Sequence, residues 1–429
     1  MTDQLLPGTH TVVLALGDLC GILRGKRMHA SQWDGVAEHG MAMAGAIFVF
    51  DMTCDIWDTP FANMDNGYPD IYVTPIPGTL RPVPWADGTM LAIGAATQEG
   101  GAPVPVDPRR ALEGVIGKFD DHGYQAKIGV EFEFYLLDPE TRTPVDNGVQ
   151  VYGVARGAQF EHVLGPIRNQ CTEFGIPIEV SNPEYSSGQF EVNIRYGDAL
   201  TAVDNAVLFR NAVKEIAAQH GFLATFMAKP FTAESGNGLH IHQSLWQGDT
   251  NIFADGNHLS DIGRCYVGGL RKHMVEFTLF GAPTPNSYKR RTPYSFCPAN
   301  NSWGGDNRTV GIRVIEGRPS AVRVEQRDAS AEANPYMVVA GQLAAGLRGI
   351  EEELDPGPRN DGDAYAEAEA DALPTSIPEA VEALRGSEFA AEVFDAQLLE
   401  VVIQMAEREE GFLRANVTDF ERDRYLEVY

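Results

Sequence analysis

Four short segments carry acidic, histidine and arginine side chains at alternate positions: Glu131-Phe132-Glu133, Glu184 through Glu191, His240-Ile241-His242 and Arg323-Val324-Glu325-Gln326-Arg327. In a β-strand, residues i and i+2 point to the same face. Each segment can therefore aim two or three polar groups into one cavity while the residues between them anchor the strand. Carboxylates gathered in one cavity repel each other and are costly to desolvate. Divalent cations are the simplest compensation, so the chemistry implied is metal-assisted handling of a polyanion.

Each segment also has a plainer reading. Glu131 and Glu133 could be the solvated face of an amphipathic strand. Glu179, Glu184 and Glu191 could be scattered surface glutamates, although the Pro183-Glu184 and Ser187-Gly188 turn residues would let Glu184 and Glu191 face each other across a hairpin. In Ser235-Gly236-Asn237-Gly238-Leu239-His240-Ile241-His242 the glycines allow a close backbone approach to a ligand. The two imidazoles then share a face and suit a metal or a hydrogen bond. Arg290, Arg308, Arg313, Arg323 and Arg327 present planar forks that suit carboxylate and phosphate oxygens. Arg24-Gly25-Lys26-Arg27 lacks the spacing and hydroxyl of a phosphate-binding P-loop, no GxGxxG follows a strand, and no HExxH occurs. Phosphate handling is left to metals and arginines.

The elements that must position these groups fall into two textures. Residues 9 to about 100 alternate short β-like runs (Thr11–Leu16, Ala46–Phe50, Ile71–Pro75, Met90–Ile93) with Gly, Pro and Asp turns, and Gly100 to Val106 reads as a linker. Asp107-Pro108 then opens a helix, with Asp as N-cap and Pro at the first helical position. Leu112, Val115, Ile116 and Phe119 continue it and Gly123 closes it. A long strand from Lys127 to Leu137 carries Glu131 and Glu133, and further helices are expected near 158–174, 199–220, 259–278, 333–349 and 392–414. The whole reads as α+β. The acidic, Gly- and Pro-rich stretch Asp355 to Ala372 reads as a surface insertion or mobile loop.

With 429 residues, 44% hydrophobic and 22% charged, the chain has an ordinary globular mix and room for two or three domains. A net charge of −27 argues against a nucleic-acid partner. Five scattered cysteines, with no CxxC pair, point to reduced thiols and a cytoplasmic setting. No signal peptide is read at Met1 to Leu16, and the longest apolar run, Met41 to Phe50, is too short for a membrane.

From about residue 11 onward the chain resembles the glutamine synthetase superfamily. The matching motifs are Val130-Glu-Phe-Glu-Phe-Tyr135, Ser187-Gly-Gln-Phe-Glu191, Lys229-Pro230 followed by Gly238-Leu-His-Ile-His242, Asn286-Ser-Tyr-Lys-Arg290, Asn307-Arg-Thr-Val-Gly-Ile-Arg313 and Asn334-Pro-Tyr336. The resemblance implies an N-terminal β-grasp domain over residues 1–104. It implies a catalytic domain over 105–429, with a curved antiparallel sheet flanked by helices. It also implies stacked rings, usually dodecamers, with active sites between subunits. It implies ATP and two or three Mg²⁺ or Mn²⁺ ions, with Glu133, Glu184 and Glu191 on one ion and Glu131, His240 and Glu325 on another. By the same resemblance Glu179, His242, Ser244, Arg308, Arg313 and Arg323 contact the nucleotide, while Arg290, Arg327 and Gly236 serve glutamate. Arg308 and Arg313 also steady the moving phosphoryl group.

The departure from ammonium-using members lies in the flap. Their pattern ends in a glutamate that takes a proton from ammonium; this chain reads Lys289-Arg-Arg-Thr-Pro-Tyr-Ser-Phe-Cys-Pro298, with Phe296 at that position. An aromatic cannot accept a proton but can pack on an alkyl chain. Ser235 likewise replaces an asparagine. Asp18 through Arg27, Ala224 through Pro230, Ser302-Trp303-Gly304 and Arg323 through Asn334 look closer to γ-glutamylpolyamine (γ-glutamylputrescine) synthetases. The implied reaction joins L-glutamate to a small amine through a γ-glutamyl phosphate. An alkylamine, like a lysine, has a pKa of about 10 and must lose a proton before attack. Asp51 is the candidate acceptor, with Asp55 beside it at the end of a predicted strand; ordinary turn aspartates are the plainer reading. An authentic glutamine synthetase, a non-catalytic scaffold and a guanidino kinase sharing the catalytic half-fold remain as alternatives.

Overall fold

A computed structural model describes residues 4–146, 148, 151–366 and 369–429. The N-terminal sheet is built from β1 (Thr11–Gly17), β2 (Leu23–His29), β3 (Met41–Ala44), β4 (Asp70–Pro75), β5 (Arg81–Pro82) and β6 (Thr89–Thr97). Their order is β2-β1-β6-β4-β3, with β5 on β6. The central pair β1/β6 runs parallel, with Thr11 opposite Thr89, and the others run antiparallel. Val12, Leu14 and Leu16 turn the apolar side of β1 inward.

The expected strand at Ala46–Phe50 is instead a 3₁₀ turn, Gly45–Phe48. Gly45 N–H donates to the Pro69 carbonyl at 2.9 Å and Val49 N–H folds back onto Ala46. The run buries Phe48 completely without entering a ladder. A short apolar run does not by itself distinguish these outcomes.

The second sheet holds β7 (Gln125–Leu137), β8 (Ile178–Pro183), β9 (Gln189–Asp198), β10 (Leu223–Thr225), β11 (Gly238–Gln247) and β12 (Thr250–Asn251). β13 (Ala254–Asp255) and β14 (His258–Leu259) make a separate ribbon; β15 (Trp303–Gly304), β16 (Ile312–Ile315) and β17 (Arg323–Ser330) complete the large sheet. The order is β15-β16-β17-β11-β7-β9-β8, with β10 on β7 and β12 on β11. Every pair except β15/β16 is antiparallel. All four chemistry-bearing segments lie on the adjoining strands β8, β9, β7, β11 and β17 or the turn between β8 and β9.

Helices brace this sheet. Asp107 caps Pro108–Asp121 by accepting from the Arg109 and Arg110 N–H groups. Arg109 reaches Asp204 on the helix Ala199–Gln219, at 2.8 and 2.9 Å. Tyr336, on Pro335–Glu351, donates its hydroxyl to the same carboxylate at 2.7 Å. One buried carboxylate thus ties three helices together. The N-terminal sheet is fastened to this frame by Asn334 Nδ2 on the Asp18 carbonyl (2.9 Å) and by Trp85 Nε1 on Glu215 (2.6 Å).

The stretch 355–372 is not a free surface insertion. Asn307 Nδ2 donates to the Asn360 and Gly362 carbonyls, Asn300 Nδ2 donates to the Ala364 carbonyl, and Tyr365 OH donates to the Cys297 carbonyl. Among its described residues the acidic side chains are exposed while the backbone accepts donors from the flap region, so composition alone misreads it. At the C-terminus, residues 411–429 are exposed throughout, including Phe412, Val417, Phe420 and Leu426. Among the described residues no helix is long and apolar enough to cross a membrane.

Replacing Asp204 with alanine leaves the Arg109 guanidinium buried without its carboxylate. An Asp204→Ala variant is expected to lose about 3–5 kcal/mol of stability in denaturant melts; a loss below about 1 kcal/mol would remove this carboxylate as the tie.

Candidate active site

Strand register sets the site. β7 and β11 place Glu131 opposite His240; β7 and β9 place Glu133 opposite Glu191; β11 and β17 place His242 opposite Glu325; β16 and β17 place Arg313 opposite Glu325. A bulge between Leu239 and Ile241 shifts β11 against β17. Two glycines permit the crowding: a Cβ on Gly238 would meet Arg290 Nη2 and His240 Nε2 at 2.7 Å, and one on Gly236 would meet the Ala228 carbonyl at 2.6 Å.

Glu131 is the hub. Its Oε1 lies 2.9 Å from His242 Nε2, and its Oε2 lies 3.5 Å from His240 Nδ1. His240 Nδ1 is 3.7 Å from Glu325 Oε1. Ligand atoms of Glu131, Glu191 and His240 all lie within 4.8 Å of one another, and so do those of Glu131, His242 and Glu325. Cis ligands around a cation with bonds of about 2.1 Å stand roughly 3 Å apart. The gaps at His240 are too long for hydrogen bonds and suit a shared ion.

The two histidines differ in what they offer. Arg323 Nε–H donates to His242 Nδ1 at 3.1 Å, which leaves the ring proton of a neutral imidazole on Nε2. His242 Nε2 then faces Glu131 Oε1 at 2.9 Å, whereas His240 Nδ1 stands 3.5 and 3.7 Å from two carboxylates, so His240 is the better metal ligand.

The remaining carboxylates divide by partner. Glu325 is fully buried and paired with Arg313 at 2.9 Å and with Arg327. Burial works to raise its pKa, but Arg327, His242 and His240 outweigh it and bring it down to about 2. Burial also opposes ionisation of Glu131, yet the two imidazoles hold it well below the carboxylate range. Glu191 has no such cation: burial, then Glu131, Glu133 and Glu184, push it up to about 9. Burial and Glu133 push Glu184 up to about 7. Glu184 accepts from Asn182 Nδ2 at 2.9 Å, and Glu133 Oε2 accepts from Gly238 N–H at 2.6 Å. An ionised pair beside two carboxyls that ionise only with added positive charge is the donor set a divalent cation fits.

Two cavities meet at this cluster. One, of about 210 Å³, is lined by Glu131, Glu179, His242, Ser244 and Arg323. The other, of about 340 Å³, is lined by Glu133, Glu184, Glu191, His240 and Gly236 and, with them, Arg290, Phe296, Arg308 and Arg327. The residues assigned by resemblance to nucleotide and to glutamate thus lie mainly on opposite sides of the acidic hub. Arg308 stands in the second cavity rather than the first. Arg313 lines neither and is occupied by Glu325 and Asp306. Arg290 lines the second cavity while its Nη1 donates to the Ala329 carbonyl at 2.9 Å.

Asp51 does not join either cavity of its own chain. It follows the 3₁₀ turn rather than a strand, and accepts from Thr53 N–H (2.9 Å), Asp55 N–H (2.9 Å) and Arg408 Nε (3.2 Å). Burial opposes these bonds, and they still lower its pKa. It lines a small separate cavity with Cys20, Met52 and Glu409.

Sequence reasoning passed over Lys127, Asn193, Arg318, Tyr152, Tyr185 and Tyr294, which line the two cavities. The alternation rule reaches two of them: Lys127 shares a face with Glu131, and Asn193 with Glu191. Nothing in the sequence marks the tyrosines.

Burial and the neighbouring carboxylates favour the protonated form of Glu191, so ion binding displaces a proton. Its pKa is raised, so the ionised form becomes available as pH rises toward about 9. Mg²⁺ affinity is expected to strengthen by about tenfold per pH unit on the acid side of that value. Calorimetry in buffers of different ionisation enthalpy should read about one proton released per ion near neutrality. Affinity independent of pH across that range would count against Glu191 as a ligand.

Residues 105–425 match the family described as glutamine synthetase, catalytic domain. A glutamate–isopropylamine ligase from Pseudomonas sp. is 35% identical, with 97% of this chain and 95% of that protein aligned. The γ-glutamylethanolamide synthetase GlnA4 of Streptomyces coelicolor is 37% identical, over 97% and 92%. The solved structure of a GmaS/ADP complex superposes with a TM-score of 0.88 at 32% identity, covering 98% of this chain and 97% of that one. The cation-ready hub between two cavities and these near full-length likenesses place the chain in the glutamine synthetase family.

Proposed function

We propose that the chain is an ATP-dependent ligase that joins the γ-carboxylate of L-glutamate to an amine through a γ-glutamyl phosphate. The observation that carries this reading is the acidic hub itself, whose Glu131 and His242 line one cavity while Glu191 and His240, within 4.8 Å of Glu131, line the other. ATP enters the cavity of Glu179, Ser244 and Arg323, and glutamate enters the cavity of Gly236, Arg290 and Arg327. The glutamate carboxylate takes the γ-phosphoryl group, releasing ADP; the amine nitrogen then forms the amide bond as the phosphate–carbonyl bond breaks, and it gives up a proton. Relatives acting on isopropylamine and ethanolamine, together with Phe296 on the acceptor side, favour an organic amine over ammonium.

Two or three Mg²⁺ or Mn²⁺ ions, when bound, would neutralise phosphate oxygens and align the terminal phosphate. Glu131, Glu191 and His240 would hold one, with Glu133 and Glu184 completing the acidic side and Glu325 the buried side. Arg308, exposed and without an ion pair among the described residues, would meet the charge on the moving phosphoryl group. Arg313 would act through Glu325. Asp51 would serve as proton acceptor only across a subunit contact, because it faces away from the cavities of its own chain. The split into residues 1–104 and 105–429, stacked rings and a cytoplasmic setting belong to the same reading. Self-association is supported by the exposed apolar side chains of residues 411–429, a surface that single soluble chains rarely leave uncovered.

A phosphate-release assay with ATP, Mg²⁺, glutamate and a panel of amines tests the reaction. Turnover with at least one organic amine above that with ammonium is expected; ammonium as the best acceptor by kcat/KM would overturn the choice. Glu131→Gln is expected to weaken Mg²⁺ binding by more than about a hundredfold, beyond what losing an outer partner does. Deleting residues 417–429 is expected to shift light-scattering mass toward smaller assemblies, and an unchanged mass would discard the tail as an assembly element.

A further inference from the structure

The flap forms one wall of the second cavity, through Arg290, Tyr294, Ser295 and Phe296. Two of these hold a backbone that their side chains disfavour: φ is 63° at Tyr294 and 58° at Phe296. A bulky side chain at positive φ is a steric outlier, and it persists where the surroundings enforce it. Burial of the two rings is not that enforcement, since they are 72% and 53% exposed. Contacts with residues 364–374 supply it. Arg291 Nη1 donates to the Pro374 carbonyl at 2.6 Å, Asn300 Nδ2 to the Ala364 carbonyl at 2.8 Å and Asn301 N–H to the Asp371 carbonyl at 3.0 Å. Between these ends, Tyr365 OH donates to the Cys297 carbonyl at 3.1 Å, and its ring packs on Tyr294 with centroids 5.0 Å apart.

The acidic stretch is in turn built onto a second wall. Arg308 lines the same cavity, and both its neighbours hold the stretch. Asn307 Nδ2 donates to the Asn360 and Gly362 carbonyls at 3.1 and 2.8 Å, and Thr309 Oγ1 accepts from Ala364 N–H at 3.1 Å. Residues 360–365 therefore bracket two walls of one cavity, and Tyr365 is the side chain by which the bracket grips the middle of the flap. Burial, then the Cys297 thiol beside it, push the Tyr365 hydroxyl up to about 12, so it stays protonated and donating at neutral pH. Resting on the ligase reading above, we infer that Tyr365 is a positioning residue: it seats the strained segment 292–298, and the segment so held pre-forms the wall that glutamate meets. The acidic stretch is thus scaffold for the site, although none of its described residues lines the cavity. Without the seat the segment samples other conformations, and apparent affinity falls with the fraction of time the wall is formed. One neutral hydrogen bond is worth a factor of about five in that balance.

The full-length parent is compared with Tyr365→Phe, which keeps the ring and drops the hydroxyl, and with Tyr365→Ala, which drops both. Hydrogen–deuterium exchange read by mass spectrometry on peptides covering 289–299 needs no turnover. Exchange there is expected to rise about fivefold in Tyr365→Phe and further in Tyr365→Ala, while peptides from β7, β11 and β17 and the Tm stay as in the parent. Phosphate release is then measured with ATP, Mg²⁺, glutamate and the best acceptor among ammonium, isopropylamine and ethanolamine. KM for glutamate is expected to rise about fivefold in Tyr365→Phe and more in Tyr365→Ala, with kcat and the KM for ATP unmoved. Unchanged exchange in both variants, or faster exchange with an unmoved glutamate KM, would overturn Tyr365 as a positioning residue and leave the ligase intact. Absence of phosphate release by the parent with every acceptor would instead sink the ligase reading, while the exchange result still decides whether Tyr365 seats the flap.

Discussion

More negative charge is brought to one strand junction than the protein can neutralise by itself. Glu325 is covered by Arg313 and Arg327 and stays ionised in full burial. Glu131 leans on two imidazoles. Glu191 and Glu184 form no ion pair among the described residues, and burial with the neighbouring carboxylates raises the pKa of both. Protons or divalent ions relieve the repulsion at such a junction. The surrounding architecture serves this imbalance. Long antiparallel strands fix the register, Gly236 and Gly238 let Arg290 and His240 approach the backbone, and Asp204 ties together the three helices that pack beside the sheet.

Much of this hub was legible in the sequence because strand alternation is a geometric rule with few exceptions. Glu131/Glu133 and His240/His242 follow from it, as the Asp107 cap follows from capping chemistry; the turn residues mark the β8–β9 hairpin, in which Glu191 stands opposite Asn182 rather than Glu184. What alternation does not encode is which partner a charge takes. Five arginines read as one polyanion cradle, yet Arg313 and Arg327 are bound to Glu325 and Arg290 donates to backbone carbonyls. The Ala46–Phe50 run shows the same gap for secondary structure, since burial was read correctly and conformation was not. The loop after Asp355 shows it for mobility, because its composition says nothing of backbone acceptors. Left-handed tyrosines leave no trace in sequence at all: aromatic residues favour strand φ values, so only coordinates reveal that Tyr152 and Tyr294 are held against preference.

The pairing of Glu325 also reassigns the work of the cationic side chains. An arginine already sharing protons with a buried carboxylate has little left for a phosphate oxygen, and pulling it away would strand Glu325 as an unpaired buried charge. Arg313 is therefore better understood as fixing the charge state and position of Glu325 than as reaching for substrate, whereas Arg327 also lines the second cavity and keeps its Nε without a partner. Mobile positive charge must come from elsewhere, and each cavity offers one exposed cation that makes no ion pair among the described residues: Arg318 on the side of His242, and Arg308 on the side of Glu191. A polyanion spanning the hub would thus meet rigid charge at its centre and adaptable charge at its ends. That division reconciles a site whose core carboxylates cannot move with a reaction in which a phosphoryl group has to.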